Sequence, residues 1–107
     1  MSVIKLVQGD NLPYIKMTLY HPDGTVVDVS SATVTVKFRA INSTTVLSTI
    51  TCTNVTNGSD GLVMFYFPNN TLNVDPGQYQ GEIEINFAGL HQTVYNVLNF
   101  LVRSQFS

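Results

Sequence analysis

Residues 75–87, Asp-Pro-Gly-Gln-Tyr-Gln-Gly-Glu-Ile-Glu-Ile-Asn-Phe, constrain the fold of this chain more than any other stretch. Asp75-Pro76-Gly77 predicts a tight reversal, because proline presets φ near the value a turn needs and glycine adds freedom beside it. The residues that follow alternate without a break. Tyr79, Gly81, Ile83, Ile85 and Phe87 fall in one phase, and Gln80, Glu82, Glu84 and Asn86 in the other. A strand repeats every two residues, so this order describes a sheet with one dry face and one wet face, and no helix sorts these residues as well.

The rest of the chain repeats that theme. Residues 3–7 read as a first strand, and a second begins at Pro13, with Ile15, Met17 and Leu19 inward and Tyr14, Lys16, Thr18 and Tyr20 outward. His21-Pro22-Asp23-Gly24-Thr25 is a turn, followed by a brief strand at 26–29. Residues 33–39 place Val34, Val36 and Phe38 on the core side. A long threonine-rich strand is predicted over 46–55, then one at 62–67 and a last one at 92–103, after a loop at 88–91. Only residues 72–74 have room for a helical turn. Short strands separated by turn signals predict an all-β fold, an antiparallel two-sheet sandwich of about seven or eight strands.

Composition sets further bounds. At 107 residues the chain fits a single domain spanning 1–107. Charged residues make up 11% of it, against roughly 25% in a usual soluble domain. Threonine, asparagine and serine fill the polar positions, and such neutral surfaces do little to oppose close packing of copies. A formal charge of -2 with no basic stripe argues against nucleic acid as a partner. No run of residues has the length and apolarity of a secretion signal or a membrane span, which predicts a soluble chain with no membrane partner. Cys52 is the single cysteine, so no intrachain disulfide forms; it reads as a buried, inert thiol on the Val46/Ile50 face.

The chemistry-bearing residues read as structural. His21 and His91 fall in loops without metal-ligand spacing, and Asp10, Asp23, Asp28, Asp60 and Asp75 stand at turns, where aspartate caps backbone N–H groups. Glu82 and Glu84 are neighbours on one wet strand face and do not flank a cleft as glycosidase carboxylates do. No nucleophile elbow or phosphate loop occurs. The expectation is a protein with no catalytic residues, no metal and no cofactor. Two strands carry more apolar residues than one core face uses, leaving Leu62, Met64 and Tyr66, and Tyr95, Val97 and Leu101, as candidate interface residues for copies of the chain or other proteins.

Tyr79, placed just after a turn and two residues before Gly81, resembles the tyrosine corner of immunoglobulin-like sandwiches, with Gly77, Tyr79 and Gly81 as the corner residues. More broadly, residues 6–102 resemble the small immunoglobulin-like domain at the N-terminus of baseplate upper proteins of tailed bacteriophages. The resemblance is carried by Gln8-Gly9-Asp10, by residues 21–25, by Val27-Asp28-Val29-Ser30-Ser31-Ala32-Thr33-Val34-Thr35-Val36-Lys37-Phe38-Arg39, and by residues 61–67 and 76–85. It implies a non-enzymatic attachment module in the virion whose partners are other phage virion proteins, capsid or tail and baseplate, in a multicopy or homo-oligomeric assembly. The sequence reaches Ser107 without a helical linker, and in size and composition it is also similar to decoration or cement proteins of capsids. A small carbohydrate- or receptor-binding sandwich module is the alternative.

Overall fold

A computed structural model describes residues 3–12, 14–68, 70–94 and 97–105. Among the described residues nine strands run in chain order: β1 (Ile4–Val7), β2 (Ile15–Thr18), β3 (Thr33–Ala40), β4 (Ser48–Thr51), β5 (Thr53–Asn54), β6 (Leu62–Phe65), β7 (Gly77–Phe87), β8 (Leu90–Thr93) and β9 (Leu98–Arg103). They form a six-stranded sheet of order β1-β9-β7-β3-β4, with β8 also on β7, and a three-stranded sheet of order β2-β6-β5. The predicted β-sandwich is therefore the fold. One pairing departs from the antiparallel expectation: β1 runs parallel to β9, Ile4 beside Phe100 and Val7 beside Arg103.

The alternating stretch is the axis of the large sheet. β7 pairs with β3 from Thr33↔Asn86 to Ala40↔Tyr79 on one side and with β8 and β9 on the other. Its inward phase meets Val34, Val36 and Phe38 of β3 and Phe100 and Val102 of β9, all buried. An aromatic cluster closes the space between the sheets. Phe38 stacks on Tyr79 at 5.1 Å between centroids and meets Phe67 and Phe100 edge-on at 5.6 Å, geometries that aromatic quadrupoles favour. Met17 and Phe87, expected at the centre of the core, pack against its margin and stay half-buried.

Three sequence expectations change in the folded chain. The long strand at 46–55 is two strands: β4 pairs with β3 in the large sheet, β5 with β6 in the small one, and the chain crosses between sheets at Cys52. Ile50 and Cys52 are buried as expected, but Val46 stands exposed ahead of the strand. The last strand is also divided, because four chain positions separate Thr93 from Leu98 where two separate Gly81 from Glu84. An offset of two keeps side-chain parity, so Phe100 and Val102 still face inward. Leu90 and His91, expected in a loop, belong to β8.

Residues 26–29 form no strand beyond a bridge between Val26 and Tyr20, yet Val27 and Val29 are fully buried. The loop at 58–61 holds them there. The Val29 N–H donates to the Gly58 carbonyl at 2.8 Å, Leu19 N–H to Gly61 carbonyl at 2.9 Å, and Val27 N–H to Leu19 carbonyl at 2.9 Å. A Cβ on Gly61 would stand 2.8 Å from the Val27 oxygen and 2.9 Å from that of Leu19, at a φ of +71°. Only glycine lets the backbones approach this closely. Residues 70–72 turn without forming a helix, and Leu72 is buried beneath the Gly9 N–H bond to its carbonyl at 3.0 Å.

Candidate functional site: the two outer faces of the sandwich

Strand parity gives each sheet one outward face, and the two faces differ in chemistry. On the large sheet, Lys37, Glu82, Glu84 and His91 point outward among threonine, glutamine and asparagine. Glu84 lies between two basic side chains, 3.5 Å from the Lys37 Nζ and 3.7 Å from the His91 Nδ1. Glu82 and Glu84 both line this sheet face. Gln80 donates to the Asn99 side-chain oxygen at 3.4 Å in the neighbouring row. Surface ion pairs of this kind contribute little to stability. They do keep the face hydrated.

The outer face of the small sheet is nearly free of charge. β2 contributes Lys16 and Thr18, β6 contributes Leu62 and Met64, and the rows continue into Thr53 and Val55. Beyond the strand ends Tyr14 and Tyr66 meet edge-on, 5.5 Å between centroids and 72° between planes. Both are about half exposed, at 54% and 46%, while Leu62 and Met64 are half-buried by their row neighbours. No further layer covers this face among the described residues. Tyr14 completes the patch that Leu62, Met64 and Tyr66 begin; its outward phase in the sequence was the available signal.

Of the remaining candidate interface residues, Leu101 and Val97 lie elsewhere. Leu101 is on the opposite side of the molecule, in a row with Lys5 and Gln78 on the outer face of the large sheet. There it lines a groove of about 320 Å³ with Val3, Ile41 and Asn99. Val97 is half-buried at the side of the sandwich, in a cleft with Met17, Leu19, Tyr20 and Leu98. Tyr95 falls outside the described residues. The physical reason is sheet membership: β6 and β9 join different sheets, so their outward phases point in opposite directions.

At the corner, the Tyr79 hydroxyl donates to the Asp75 carbonyl oxygen at 2.5 Å, and the ring lies in the core. Burial, and secondarily the Asp75 charge, raises the phenol above its ordinary pKa. Gly81 is buried opposite Leu98, where a Cβ would come within 2.9 Å of Val36 Cγ1 and 3.0 Å of Phe100 Cε2. Gly77 opens β7 with free space where a Cβ would stand.

Three aspartates act as turn caps. Asp23 Oδ1 accepts from the Thr25 hydroxyl at 2.6 Å and its N–H at 3.0 Å, Asp28 Oδ1 accepts likewise from Ser30, and Asp60 accepts from the Leu62 N–H and the Thr56 hydroxyl. These bonds hold all three carboxyls below the usual aspartate value. Burial pushes the Cys52 thiol up to about 12, which leaves it protonated and poorly nucleophilic at neutral pH. Among the described residues, no group of three or more His, Cys, Asp or Glu side chains converges as a metal site requires.

Two packed sheets, an aromatic core and a tyrosine corner define the class: a small β-sandwich. A solved structure of similar fold is the N-terminal domain of phage TP901-1 ORF48, matched with a TM-score of 0.68 at 14% sequence identity over 95% of this chain and 85% of that one. No family model matches the sequence, and no curated protein does.

Proposed function

We propose that the chain is a non-enzymatic structural module of a tailed-phage virion, docking on other virion proteins through the outer face of its small sheet. The observation that carries this reading is the contrast between the two outer faces. One carries Lys37, Glu82, Glu84 and His91 along its central rows, with Leu101 nearer its border, whereas the other presents Tyr14, Leu62, Met64 and Tyr66 with Lys16 as the charge in its rows. Interface cores are enriched in aromatic residues and methionine and depleted of charge. The likeness to a phage domain of the same fold and the sequence resemblance to baseplate upper proteins supply the setting. Sugar binding fits this face less well, because rings inclined at 72° do not offer one flat stacking platform.

The test is a double variant, Met64→Lys with Tyr66→Asp, introduced into the phage that encodes the chain. Both side chains point outward, so the isolated domain should keep its far-UV spectrum while incorporation into particles is lost. Normal incorporation would place the docking surface elsewhere. Band intensity relative to the major capsid protein then separates two placements. A capsid decoration protein approaches the copy number of the capsid subunit, and a tail or baseplate module stays at the few copies of a ring.

A further inference from the structure

Every open sheet has border strands whose outward N–H and C=O groups are free to pair with another chain, and stable proteins guard them with charge, proline or short length. In this sandwich most borders are guarded. In β1, Gln8 N–H bonds toward Arg103, which leaves Lys5 with its backbone groups on the free side. In β2, the Leu19 bond to Gly61 sets the alternation so that Lys16 occupies the free side. β5 is two residues long, and β8 turns the ionisable His91 outward. β4 differs. The Cys52 N–H donates to the Val34 carbonyl, so Ile50 and Ser48 also bond inward to β3, while Thr49 and Thr51 direct their backbone groups away from the sheet. Both threonines are exposed, and the run Ser48-Thr49-Ile50-Thr51 holds no charge and no proline. Directly ahead of it Val46 and Leu47 are exposed at 44% and 48%.

We propose that two copies of the chain pair edge to edge through β4, antiparallel and centred on Ile50, joining the two large sheets into one. In that register Thr49 of each copy faces Thr51 of the other, and both hydroxyl pairs fall on the outer face. Threonine pairs and apolar pairs directly opposite one another stabilise a ladder, whereas like charges destabilise it. Ile50 meets Ile50 on the inner side, and Val46 and Leu47 approach residues 53 and 54 of the second copy. The same operation at β1 centred on Lys5, or at β2 centred on Lys16, would set lysine against lysine. This contact leaves the outer face of the small sheet untouched, so it stands or falls separately from the virion docking proposed above.

Sedimentation velocity of the 107-residue chain over a micromolar concentration series should show a reversible monomer–dimer equilibrium. A Thr49→Lys/Thr51→Lys double variant sets lysine against lysine, and a Thr49→Glu/Thr51→Glu variant sets glutamate against glutamate. Each alone should stay monomeric with an unchanged far-UV spectrum. Mixed in equal amounts, they should form a heterodimer, an outcome that a merely misfolded variant cannot produce. A wild-type chain that stays monomeric throughout, charge variants that dimerise as well as wild type, or a mixture that fails to associate would each overturn the proposal.

Discussion

Tyr79 and Asp75 are joined across the turn that opens β7, the Tyr79 hydroxyl donating to the Asp75 carbonyl at 2.5 Å while the ring stacks on Phe38 at 5.1 Å. One side chain thus fixes the start of the central strand to the aromatic core. Tyr79→Phe keeps the stack and removes the bond, with an expected loss of about 0.5 to 1.5 kcal/mol. Tyr79→Ala removes both and should cost considerably more. An unmoved urea midpoint for Tyr79→Phe would show the hydroxyl to be dispensable.

Phe38 is fully buried and meets three aromatic rings. Phe38→Ala leaves a ring-sized cavity between the sheets, a change that costs roughly 3 to 5 kcal/mol. A domain of this size has about 5 to 15 kcal/mol to lose, so the variant should be close to unfolded in thermal melts. A loss near zero would mean that the cavity collapses.

Two buried glycines should resist the addition of a single methyl group, for different reasons. At Gly81 the new Cβ meets Val36 and Phe100 side chains, and overpacking of this kind costs about 1 to 3 kcal/mol. At Gly61 it meets two carbonyl oxygens under 3 Å away at a φ of +71°, so neither a rotamer change nor a small shift relieves it. Gly61→Ala should therefore be the more damaging variant in equilibrium denaturation, and the reverse order would contradict the docking of residues 19–29 on this loop.

Ala88 sits at φ +50° in the two-residue turn between Phe87 and Leu90, with the following Gly89 N–H bonded to the Asn86 side chain at 2.9 Å. Left-handed backbone costs an ordinary L-residue roughly 1 to 2 kcal/mol, and Asn-Gly is the favoured pair in tight hairpins. Ala88→Asn should raise the thermal midpoint. A lowered midpoint would indicate a different turn in solution.

Stability should fall at both ends of the pH range. Hydrogen bonds depress the carboxyls of Asp23, Asp28 and Asp60 below the 3.8 of an unperturbed aspartate. That contribution is complete above pH 3.8 and is lost as pH drops through the lower folded-state values. Tyr79 and Cys52 act in the opposite sense, since their folded-state values lie above the ordinary 10.0 and 9.0. Their contribution is intact below those values and disappears as pH rises through the folded ones, about 12 for the thiol. Cys52→Ala with Tyr79→Phe should flatten the alkaline limb of a urea-midpoint profile, and Asp28→Ala with Asp60→Ala the acid limb. Unchanged limbs would exclude these groups.

Local periodicity carried much of the fold. The phase of β7 and β3 was legible because a two-residue repeat of apolar and polar side chains has one physical solution, a strand with a buried face, and the placement of Val34, Val36, Phe38, Tyr79, Ile83 and Ile85 follows from it. The Tyr79 corner was legible too, since its partner lies four residues away. What the tertiary structure decided are matters of pairing between distant segments. Cys52 breaks a strand whose alternation runs straight through it, because the chain changes hydrogen-bond partner there from β3 to β6. Val29 is held by the Gly58 carbonyl, far along the chain, and Val27 by the Leu19 carbonyl, not by a ladder of their own. Over the predicted strand at 92–103 both phases carry apolar residues, and the register of β9 against β7 turns Phe100 inward and Leu101 outward. The candidate interface divided for the same reason. Parity tells which residues of one strand share a face; which sheet that strand joins is set by long-range hydrogen bonding and core packing, on which a two-residue period is silent.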